Sequence, residues 1–345
     1  MAKLPLKPIT LKELAALLEL SQSTVSRIVN GGAVAHRIAE ETQQRVLRAA
    51  ALHGYTANAV ARSLRQKHTY TIGVIVPDMS EGYSTAVLTG IEDELLKEGF
   101  FYFVVSHRHR SDLLEGYLRM MLVRSVEGII AVDTSIGQEL PIPVVAVSGH
   151  RRMEGGINIQ LDHDQAAQLA LEHLQALGHK RIAFMKGQVI SSDSSQRWLA
   201  IARAASALGI AIDPRLVVQL QSPEPGPGPG MEATRTLLQT GLPFTALFAF
   251  NDVTAIGAII ALREAGVRVP KDVSVLGFDD VPAAQTNHPA LTTIHQPLRA
   301  MGQTAASTLL ALIRDEIPQP RPASITVHPS LVVRKSTGHV GQPTT

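Results

Sequence analysis

The hydrophobic and polar positions along the chain follow two different patterns, and the change falls near residue 70. Before it, apolar residues recur three or four positions apart, as in Leu11, Leu14, Ala15 and Leu18, which is the spacing of an amphipathic helix. After it, short continuous apolar runs such as TIGVIVPD and FFYFVVS alternate with segments of helical spacing. The pattern predicts a small all-α unit followed by a larger α/β body.

Local signals predict three short helices in the N-terminal unit. The stretch Thr10–Glu13 has the form of a capping box, in which the hydroxyl and the carboxylate each satisfy a free backbone N–H, so a first helix is expected over about Leu11–Leu18. Ser21 is placed to cap a second helix that runs to about Val29, and a third helix is expected over about Glu40–Leu52. The short connection between the first two helices is typical of a helix-turn-helix.

The body is predicted to contain two doubly wound subdomains with parallel sheets. Its helical segments end alike, with a glycine just after the helix in LLKEGF, LQALGH, ASALGI and LREAGV. This repeated order indicates βαβ units, and the continuous apolar strands indicate sheets covered on both faces. Residues 70–340 are more than one such layer needs, which favours two subdomains. The stretch SPEPGPGPG is expected to be a stiff surface connection, because its prolines lack N–H donors that a phosphate would need.

Charge is distributed unevenly between the two units. Residues 1–70 contain ten Lys and Arg against four acidic residues, and the rest of the chain contains 22 basic against 26 acidic residues. A basic first unit on an acidic body is the footprint of a nucleic-acid-binding domain. A solvated basic surface would give the same count, so charge alone leaves both interpretations open.

Composition excludes several classes of function. The chain has no cysteine, which rules out disulfides, cysteine-ligated zinc and thiol catalysis. The start MAKLPLKPITLKEL lacks the apolar core of a signal peptide, and no apolar run reaches about 18 residues, so a cytoplasmic protein without a membrane span is expected. Neither a phosphate-binding glycine loop nor a nucleophile elbow occurs. We therefore expect a non-enzyme with no catalytic residues, no cofactor and no metal site.

The second predicted helix carries polar residues suited to contact DNA bases. Gln22 and Ser23 lie at its start and Arg27 one turn further on. Glutamine can pair with adenine and arginine with guanine through two hydrogen bonds each, and residues near this helix's N-terminus are the ones that enter the major groove. The alternative is that these side chains merely fill a surface helix.

The N-terminal unit resembles the headpiece of the lactose-repressor and galactose-repressor family of bacterial transcription regulators. The resemblance rests on STVSRIVNG, ETQQRVLRAAALHGY and NAVARSLR, which occur in the family's order. It implies a hinge helix over Asn58–Leu64 and a minor-groove wedge at Leu64, which could otherwise be a linker leucine packed on the body. The DNA-contacting residues that it implies are Thr10, Ser21, Gln22, Ser23, Thr24, Ser26, Arg27, Asn30, Tyr55, Asn58, Ala61, Arg62 and Leu64.

Two departures from the family concern the loops of the headpiece. Glu19 stands in the turn where the family usually has glycine, and a left-handed residue there would be strained by about 1 kcal/mol or more. The connection from Gly31 to Ala39 is longer than usual, and Ala39 stands where a capping Ser or Thr is common. Both departures affect loop geometry more than the groove-reading helix.

The resemblance continues through the body, in TIGVIVPD, RSVEGIIAV, LGHKRIAFMKG, FAFNDVTAIGA, VSVLGFDD and HPALTTIHQP. It implies a periplasmic-binding-protein type of fold, with two doubly wound parallel-sheet subdomains around a cleft. The expected organisation is a helix-turn-helix headpiece over 1–56, a hinge helix and linker over 57–69, and an effector-binding and dimerisation core over 70–340. The subdomains are expected to comprise 70–161 plus 291–322 and 162–290 plus 323–340.

Polar residues at the predicted strand ends are candidate ligands for the effector, because open parallel sheets bind ligands beyond the carboxyl ends of their strands. Arg197 and Asp279 fall at the family's ligand-binding arginine and acid, and such a pair can bind neighbouring hydroxyls of a sugar. Arg197 could otherwise be a helix-surface residue. Asp252 is expected to cap the helix after it. The effector-binding candidates are Asp78, Tyr83, His107, Arg197, Asn251 and Asp279.

The loop SHRHRSD is unusually basic and bears on the charge of the effector. It places His107, Arg108, His109 and Arg110 together, which favours an anionic effector such as a sugar phosphate if the cluster faces the cleft. If the cluster is exposed, it carries no such preference.

The expected function is that of a sequence-specific DNA-binding transcription regulator, and more specifically a repressor. It would bind a palindromic double-stranded operator as a homodimer or higher oligomer, under the control of a sugar-like effector in the cleft. The alternative is a periplasmic-type solute-binding protein without DNA function, which fits the body alone. The basic N-terminal unit and the lack of a signal peptide argue against it.

Overall fold

The computed structural model describes residues 9–29, 38–55, 68–79, 82–149, 156–222 and 224–341. The chain forms two compact units, Met1–Thr69 and Tyr70–Thr345. Within the described ranges, no helix is long and apolar enough to cross a membrane.

The first unit is a three-helix module with the predicted helix-turn-helix. Its helices are α1 (Leu11–Leu17), α2 (Gln22–Val29) and α3 (Glu40–Leu52). Thr10 and Glu13 form the predicted capping box, and the Glu13 carboxylate accepts hydrogen bonds from the Thr10 backbone N–H and hydroxyl at 2.8 Å. The three helices share one small core, formed by Leu14, Ala15, Val25, Ile28, Val46 and Ala50.

The turn between α1 and α2 keeps a left-handed residue although it is not glycine. Glu19 has a φ of 54°, a conformation that costs an L-residue about 1–2 kcal/mol. The turn is held by the backbone N–H of Leu20, which donates to the Ala15 carbonyl at 3.0 Å. Arg45 of α3 also donates to the Leu18 carbonyl at 3.2 Å. These contacts explain how the fold tolerates glutamate at this position.

The start of α3 lacks a side-chain cap, as the alanine at position 39 implies. Ala39 is the N-cap residue and provides no hydrogen bond from its side chain. The Gln43 side chain instead donates to the Ile38 carbonyl at 2.8 Å, which fixes the chain just before the helix.

The body contains two six-stranded sheets, each with helices on both faces. The first sheet has the order β11-β5-β4-β3-β1-β2, and all its strand pairs are parallel. The second has the order β12-β10-β9-β8-β6-β7, and only β12 runs antiparallel among its described pairs. The strands are β1 (Thr71–Val76), β2 (Phe101–Ser106), β3 (Gly128–Val132), β4 (Val144–Val147), β5 (Ile157–Leu161), β6 (Ile182–Lys186), β7 (Val217–Gln219), β8 (Ala246–Phe248), β9 (Ser274–Asp279), β10 (Thr292–His295), β11 (Ser324–Val327) and β12 (Ser330–Val332).

The helices of the body connect these strands as the βαβ pattern predicts. They are α4 (Gly82–Lys97), α5 (Ser111–Val123), α6 (His163–Ala176), α7 (Ser192–Ala207), α8 (Gly228–Gln239), α9 (Asp252–Glu264), α10 (Pro282–Thr286) and α11 (Leu298–Ile313). Helices α4 and α11 cross closely on the first sheet. A Cβ atom at Gly90 or Gly302 would collide with the backbone of the opposite helix, so this crossing requires glycine at both positions.

The structure corrects the expected boundaries of the subdomains. Strand β10 pairs with β9 and therefore belongs to the second sheet, whereas the sequence placed 291–322 in the first subdomain. Strand β11 pairs with β5 and belongs to the first sheet, whereas the sequence placed 323–340 in the second. The chain returns to the first sheet through α11 and crosses again between β11 and β12. Short strands of this kind fit either sheet by pattern alone, so their pairing was not predictable from hydrophobicity.

Candidate functional site

One face of α2 in the first unit is polar and open to solvent. Gln22, Ser23 and Arg27 are exposed, whereas Val25 and Ile28 are buried against α1 and α3. The alternation of these residues along the helix separates an apolar side, which holds α2 on the module, from a polar side that contributes nothing to the core. The polar side is therefore available to a partner.

Several predicted DNA-contacting hydroxyls are occupied within the headpiece itself. The Ser21 hydroxyl accepts a hydrogen bond from the Thr24 backbone N–H at 3.1 Å and lies 2.8 Å from the hydroxyls of Ser23 and Thr24. The Thr10 hydroxyl is bonded to Glu13. These side chains shape the starts of α1 and α2, and thereby fix the direction in which Gln22 and Arg27 project.

The remaining predicted DNA-contacting residues divide into two groups. Ser26 is partly buried on α2, and Tyr55 is partly buried and packs against the core of the headpiece. Asn30, Asn58, Ala61, Arg62 and Leu64 lie outside the described residues, and so does the predicted hinge helix.

A cleft lies between the two sheets of the body, at the carboxyl ends of their strands. The first subdomain contributes Asp78 after β1, Tyr83 on α4 and Asp133 after β3. The second contributes Arg197 on α7 and Asp279 at the end of β9, among others. Apart from His107, all predicted effector-binding residues meet in this cleft, which has an interior volume of about 90 Å³.

Arg197 lies at the centre of the wall formed by the second subdomain. It is only 5% exposed, and its guanidinium lies between the rings of Phe278 and Phe250, at 3.7 and 4.5 Å from their centroids. It donates to the Phe250 carbonyl and to the Asp193 carboxylate, and its Nε has no hydrogen-bond partner. An arginine so fixed is not a helix-surface residue, and it lines the cleft in a preset orientation.

Asp279 is held in the same wall in a left-handed backbone conformation, with a φ of 109°. Its Oδ1 lies 3.9 Å from the Arg197 guanidinium and accepts a hydrogen bond from Gln296 at 2.6 Å. Burial raises the pKa of Asp279 well above its ordinary value, and the Arg197 charge acts in the opposite direction. A strained, buried acid beside a buried arginine is typical of a binding site rather than of a structural ion pair.

Sequence reasoning missed two residues that position this pair. Asp193 precedes Arg197 by one helical turn on α7, and its carboxylate also lies 2.9 Å from the His163 imidazole at the start of α6. Asp193 is 7% exposed and His163 9%. The spacing of four residues between Asp193 and Arg197 was the signal that could have found the first of them. The stretch SPEPGPGPG, predicted only as a surface connection, also contributes Glu224, Pro225 and Gly226 to the lining of the cleft.

Asn251, and not Asp252, caps the helix that follows β8. Asn251 is the N-cap of α9, and its side chain accepts from the Thr254 backbone N–H at 2.9 Å. Asp252 is therefore not the cap. It is fully buried and accepts hydrogen bonds from the Val281 backbone at 2.8 Å and from the Thr293 hydroxyl. It thus links α9 to the chain on both sides of α10, while Asn251 lines the cleft.

Tyr83 supplies an aromatic ring to the wall formed by the first subdomain. Its hydroxyl donates to the Ser148 hydroxyl at 2.9 Å, which fixes the ring in the cleft. Burial raises the pKa of Tyr83 well above its ordinary value, so the hydroxyl stays protonated.

The basic loop does not bring a cluster of positive charge to the cleft. His107 is buried and bonded to the Thr134 hydroxyl at 3.0 Å, and burial lowers its pKa to about 4. Burial also lowers the pKa of His109. Arg110 is paired with Asp112 at 2.5 Å on the surface. Both imidazoles are therefore neutral at pH 7.

The cleft is acidic as a whole. Arg197 is its one fixed cation among the described lining residues, and Asp193 already neutralises that charge. Of the two alternatives left open for the basic loop, the one that implies an anionic effector is therefore not supported, because these carboxylates repel an anion. The carboxylates that line the cleft are those of Asp78, Asp133, Asp193, Glu224 and Asp279.

Comparisons with known proteins match both units. Residues 10–58 match the family described as bacterial regulatory proteins, lacI family, and residues 171–337 match the periplasmic binding protein-like domain. The HTH-type transcriptional repressor PurR of Haemophilus influenzae is 32% identical over 342 residues, covering 95% of this chain and 98% of that protein. The PurR repressor of Aliivibrio salmonicida is 30% identical over 335 residues, with the same coverage of 95% and 98%.

Solved structures agree with this assignment. The lac repressor dimer bound to operator and the anti-inducer ONPF superposes with a TM-score of 0.85 at 27% identity, covering 96% of this chain and 100% of that chain. The complex of the transcriptional regulator CelR with cellobiose has a TM-score of 0.70 at 26% identity, covering 95% and 99%. The match over residues 10–58 contradicts the alternative of a solute-binding protein without DNA function. The curated relatives are repressors and not enzymes.

Proposed function

The chain belongs to the lacI family of bacterial regulatory proteins and is a DNA-binding transcriptional repressor, and from this premise we propose that a neutral, sugar-like effector in the body's cleft controls its binding to a palindromic operator. The observation that carries the proposal is the buried arrangement of Arg197, Asp279 and Asp193 at the carboxyl ends of the strands.

The proposed DNA interface is the exposed face of α2. Gln22, Ser23 and Arg27 project from it, and their backbone is fixed by the Ser21 cap and by Val25 and Ile28 in the core. Each base contact made through two hydrogen bonds contributes about 1–3 kcal/mol of discrimination. One such face reads one half-site, so a homodimer reads a palindrome.

The chemistry of the cleft favours a molecule rich in hydroxyl groups. The carboxylates of Asp133 and Asp279 can accept hydrogen bonds and the Arg197 guanidinium can donate them, so a hydroxyl group, which does both, fits this cleft. The rings of Tyr83 and Phe250 provide apolar surface for the C–H face of a sugar. The same rings could stack on a planar base, so purines are the second candidate class.

The effector is proposed to act by bridging the two subdomains. Tyr83 and Asp133 belong to the first subdomain, and Arg197 and Asp279 to the second. A ligand that binds both walls favours one relative orientation of the subdomains, and it changes DNA affinity only if that orientation binds operator differently.

The proposal is tested by two measurements on the full chain. Selection from a randomised palindromic library should yield a preferred sequence bound at least about 10³-fold more tightly than random DNA. A thermal-shift series with neutral sugars, sugar phosphates and purine bases should show stabilisation by a neutral sugar and none by its phosphate ester. Stabilisation by a purine alone would show that the effector is a purine and not a sugar. If no DNA sequence is preferred over random DNA, the proposal of a palindromic operator is wrong.

A further inference from the structure

The turn between α1 and α2 sets the direction in which α2 runs across the headpiece. Helix α1 ends at Leu17 and α2 begins at Gln22, so residues 18–21 make the whole connection. So short a connection passes a change in its backbone on to the helix that follows. Functional side chains must be held within about 0.5 Å and 10–20° of their working geometry. Whatever holds this turn therefore affects the DNA contacts proposed for Gln22 and Arg27.

The carboxyl end of α1 has no cation of its own. Its last turn, which lies within the described residues 9–29, contains no basic residue, and the C-cap Leu18 is followed by the acidic Glu19. The last carbonyls of a helix have no partner in that helix, and the partial negative charge there favours a cation. Glu19 adds a negative charge at the same end. The end of α1 is therefore a place where a positively charged donor stabilises the backbone.

Arg45 provides this donor from a different helix. Its guanidinium donates to the Leu18 carbonyl at 3.2 Å, across 27 positions of the sequence. Arg45 lies on α3 next to Val46, which is fully buried in the core that the three helices share. The backbone of Arg45 is thus held by the same core that holds α2, while its side chain reaches the turn. The contact links α3 directly to the connection between α1 and α2.

The backbone of the turn needs this support because Glu19 is left-handed. Its φ of 54° lies in a region that residues other than glycine rarely adopt, so the backbone tends to relax out of it. Rotation at Glu19 changes the direction of the Leu18 carbonyl relative to Leu20. The hydrogen bond from Arg45 to that carbonyl opposes this rotation on one side of Glu19. The bond from the Leu20 N–H to the Ala15 carbonyl at 3.0 Å opposes it on the other side.

We infer that Arg45 is a positioning residue for base recognition, which holds the Leu18 carbonyl from α3 and thereby fixes the direction of Gln22 and Arg27 on α2. This inference rests on the proposed DNA interface and adds a residue that lies outside the helix making the contacts. Because Arg45 acts on a strained turn, its contribution depends on a residue other than glycine at position 19. The alternative is that Arg45, as an exposed arginine of a basic unit, contacts a DNA phosphate.

Fluorescence anisotropy of the full chain with the selected operator and with random DNA tests the inference. Arg45→Ala should weaken operator binding about fivefold, as expected for the loss of one solvent-exposed hydrogen bond. It should weaken binding to random DNA by less than about twofold, and the dependence of affinity on salt should stay unchanged, because no phosphate contact is lost. Arg45→Lys keeps a cation and a donor, so it should bind operator within about twofold of the wild type.

A double-mutant cycle with Glu19→Gly tests whether Arg45 acts through the turn. Glycine adopts the left-handed conformation without strain, so the turn needs less support in this background. Arg45→Ala should therefore weaken the operator binding of Glu19→Gly by less than about twofold, which makes the two substitutions non-additive. The matched control is Arg48→Ala, because Arg48 is exposed on the same helix and bonded to Gln44. It should leave operator affinity within about twofold of the wild type.

The possible results separate the inference from the proposed interface. Equal losses on operator and random DNA, with a weaker salt dependence, make Arg45 a phosphate contact and overturn the inference. The same loss with Glu19 and with glycine at position 19 shows that Arg45 does not act through the turn. If Arg45→Ala unfolds the headpiece and binds neither DNA, the double variant decides, since binding restored to that of Glu19→Gly supports the inference and no recovery overturns it. A wild type without any preferred DNA sequence refutes the interface itself, and the inference with it.

Discussion

Asp193 and Arg197 form a buried ion pair one turn apart on α7, and the same carboxylate reaches His163 on α6 at 2.9 Å. The pair orients a guanidinium that is also enclosed by Phe278 and Phe250. Because its position is fixed before any ligand arrives, Arg197 loses little conformational entropy on binding. The cleft is thus preorganised on the side of the second subdomain.

The first prediction concerns Asp193. Asp193→Asn leaves the Arg197 charge buried without a full counter-charge, and removal of one partner of a buried pair costs about 3–5 kcal/mol. We expect the free energy of unfolding in urea to fall by about 3 kcal/mol and the affinity for the sugar to fall at least tenfold.

The control is an exposed pair between the same two helices. Asp164 and Arg203 lie 2.6 Å apart with side chains 65% and 58% exposed. Asp164→Asn should change stability by less than about 1 kcal/mol, because surface ion pairs contribute little. If the two variants behave alike, Asp193 does not organise the cleft.

The second prediction concerns base recognition by α2. Arg27→Ala should weaken binding to the selected operator by about 1–3 kcal/mol and relax preference at one position of each half-site. Arg48→Ala is the control, because Arg48 is exposed on α3 and bonded to Gln44 of the same helix. The affinities of both variants for operator and for random DNA are measured by fluorescence anisotropy at two salt concentrations. If Arg27→Ala loses the same affinity for operator and for random DNA, Arg27 contacts a phosphate and does not recognise a base.

The third prediction concerns the strained turn at Glu19. Its φ of 54° costs about 1–2 kcal/mol, and glycine relieves this while adding about 0.4–1 kcal/mol of unfolded-chain entropy. Glu19→Gly should therefore stabilise the headpiece by about 0.5–1 kcal/mol. Amide hydrogen exchange at Leu14 and Val25 in the full chain should slow threefold or more. Glu19→Ala keeps the left-handed conformation of an L-residue, and an equal slowing in that variant would refute the role of strain.

The fourth prediction concerns the buried Asp252. Burial raises its pKa to about 7, and hydrogen bonds from Thr293 and Val281 counter only part of the effect. The folded state then binds a proton that the unfolded state has lost, so stability falls as the pH rises from about 4 to 7 and changes little above it. In Asp252→Asn this fall should be smaller, because the contribution of Asp252 is lost and that of Asp279, whose pKa burial also raises, remains. The test is the free energy of unfolding of the wild type and the variant, measured by denaturant titration from pH 4 to 8. If the two proteins show the same dependence of this free energy on pH, the pKa of Asp252 is not raised.

The parts of the fold that could be predicted are those with local causes. The Thr10–Glu13 capping box and the Ser21 cap fix the starts of α1 and α2 within a few residues of sequence, so their helices were confirmed nearly to the residue. The pairing of β10 and β11 depends on contacts with strands about 15 and 165 residues away, which no local pattern encodes.

The candidate site was predictable in position but not in its charge. Asn251 and Asp252 follow the same strand, and only packing decides which one caps α9 and which one is buried. The imidazoles of His107 and His109 count as basic in a sequence, but burial lowers the pKa of both. Burial is a property of the assembled subdomains, so the sequence left open whether the basic loop adds positive charge to the cleft, and the cleft is acidic in the structure.

The central claim is that a ligand in the cleft controls the affinity of the α2 faces for operator DNA. The most direct measurement is the operator affinity of the full chain with and without a saturating sugar, for the wild type and for Asp279→Asn. The account predicts a change of about fivefold or more in the wild type and a smaller one in Asp279→Asn at the same sugar concentration. An operator affinity that is unchanged when titration shows the cleft to be occupied would contradict it.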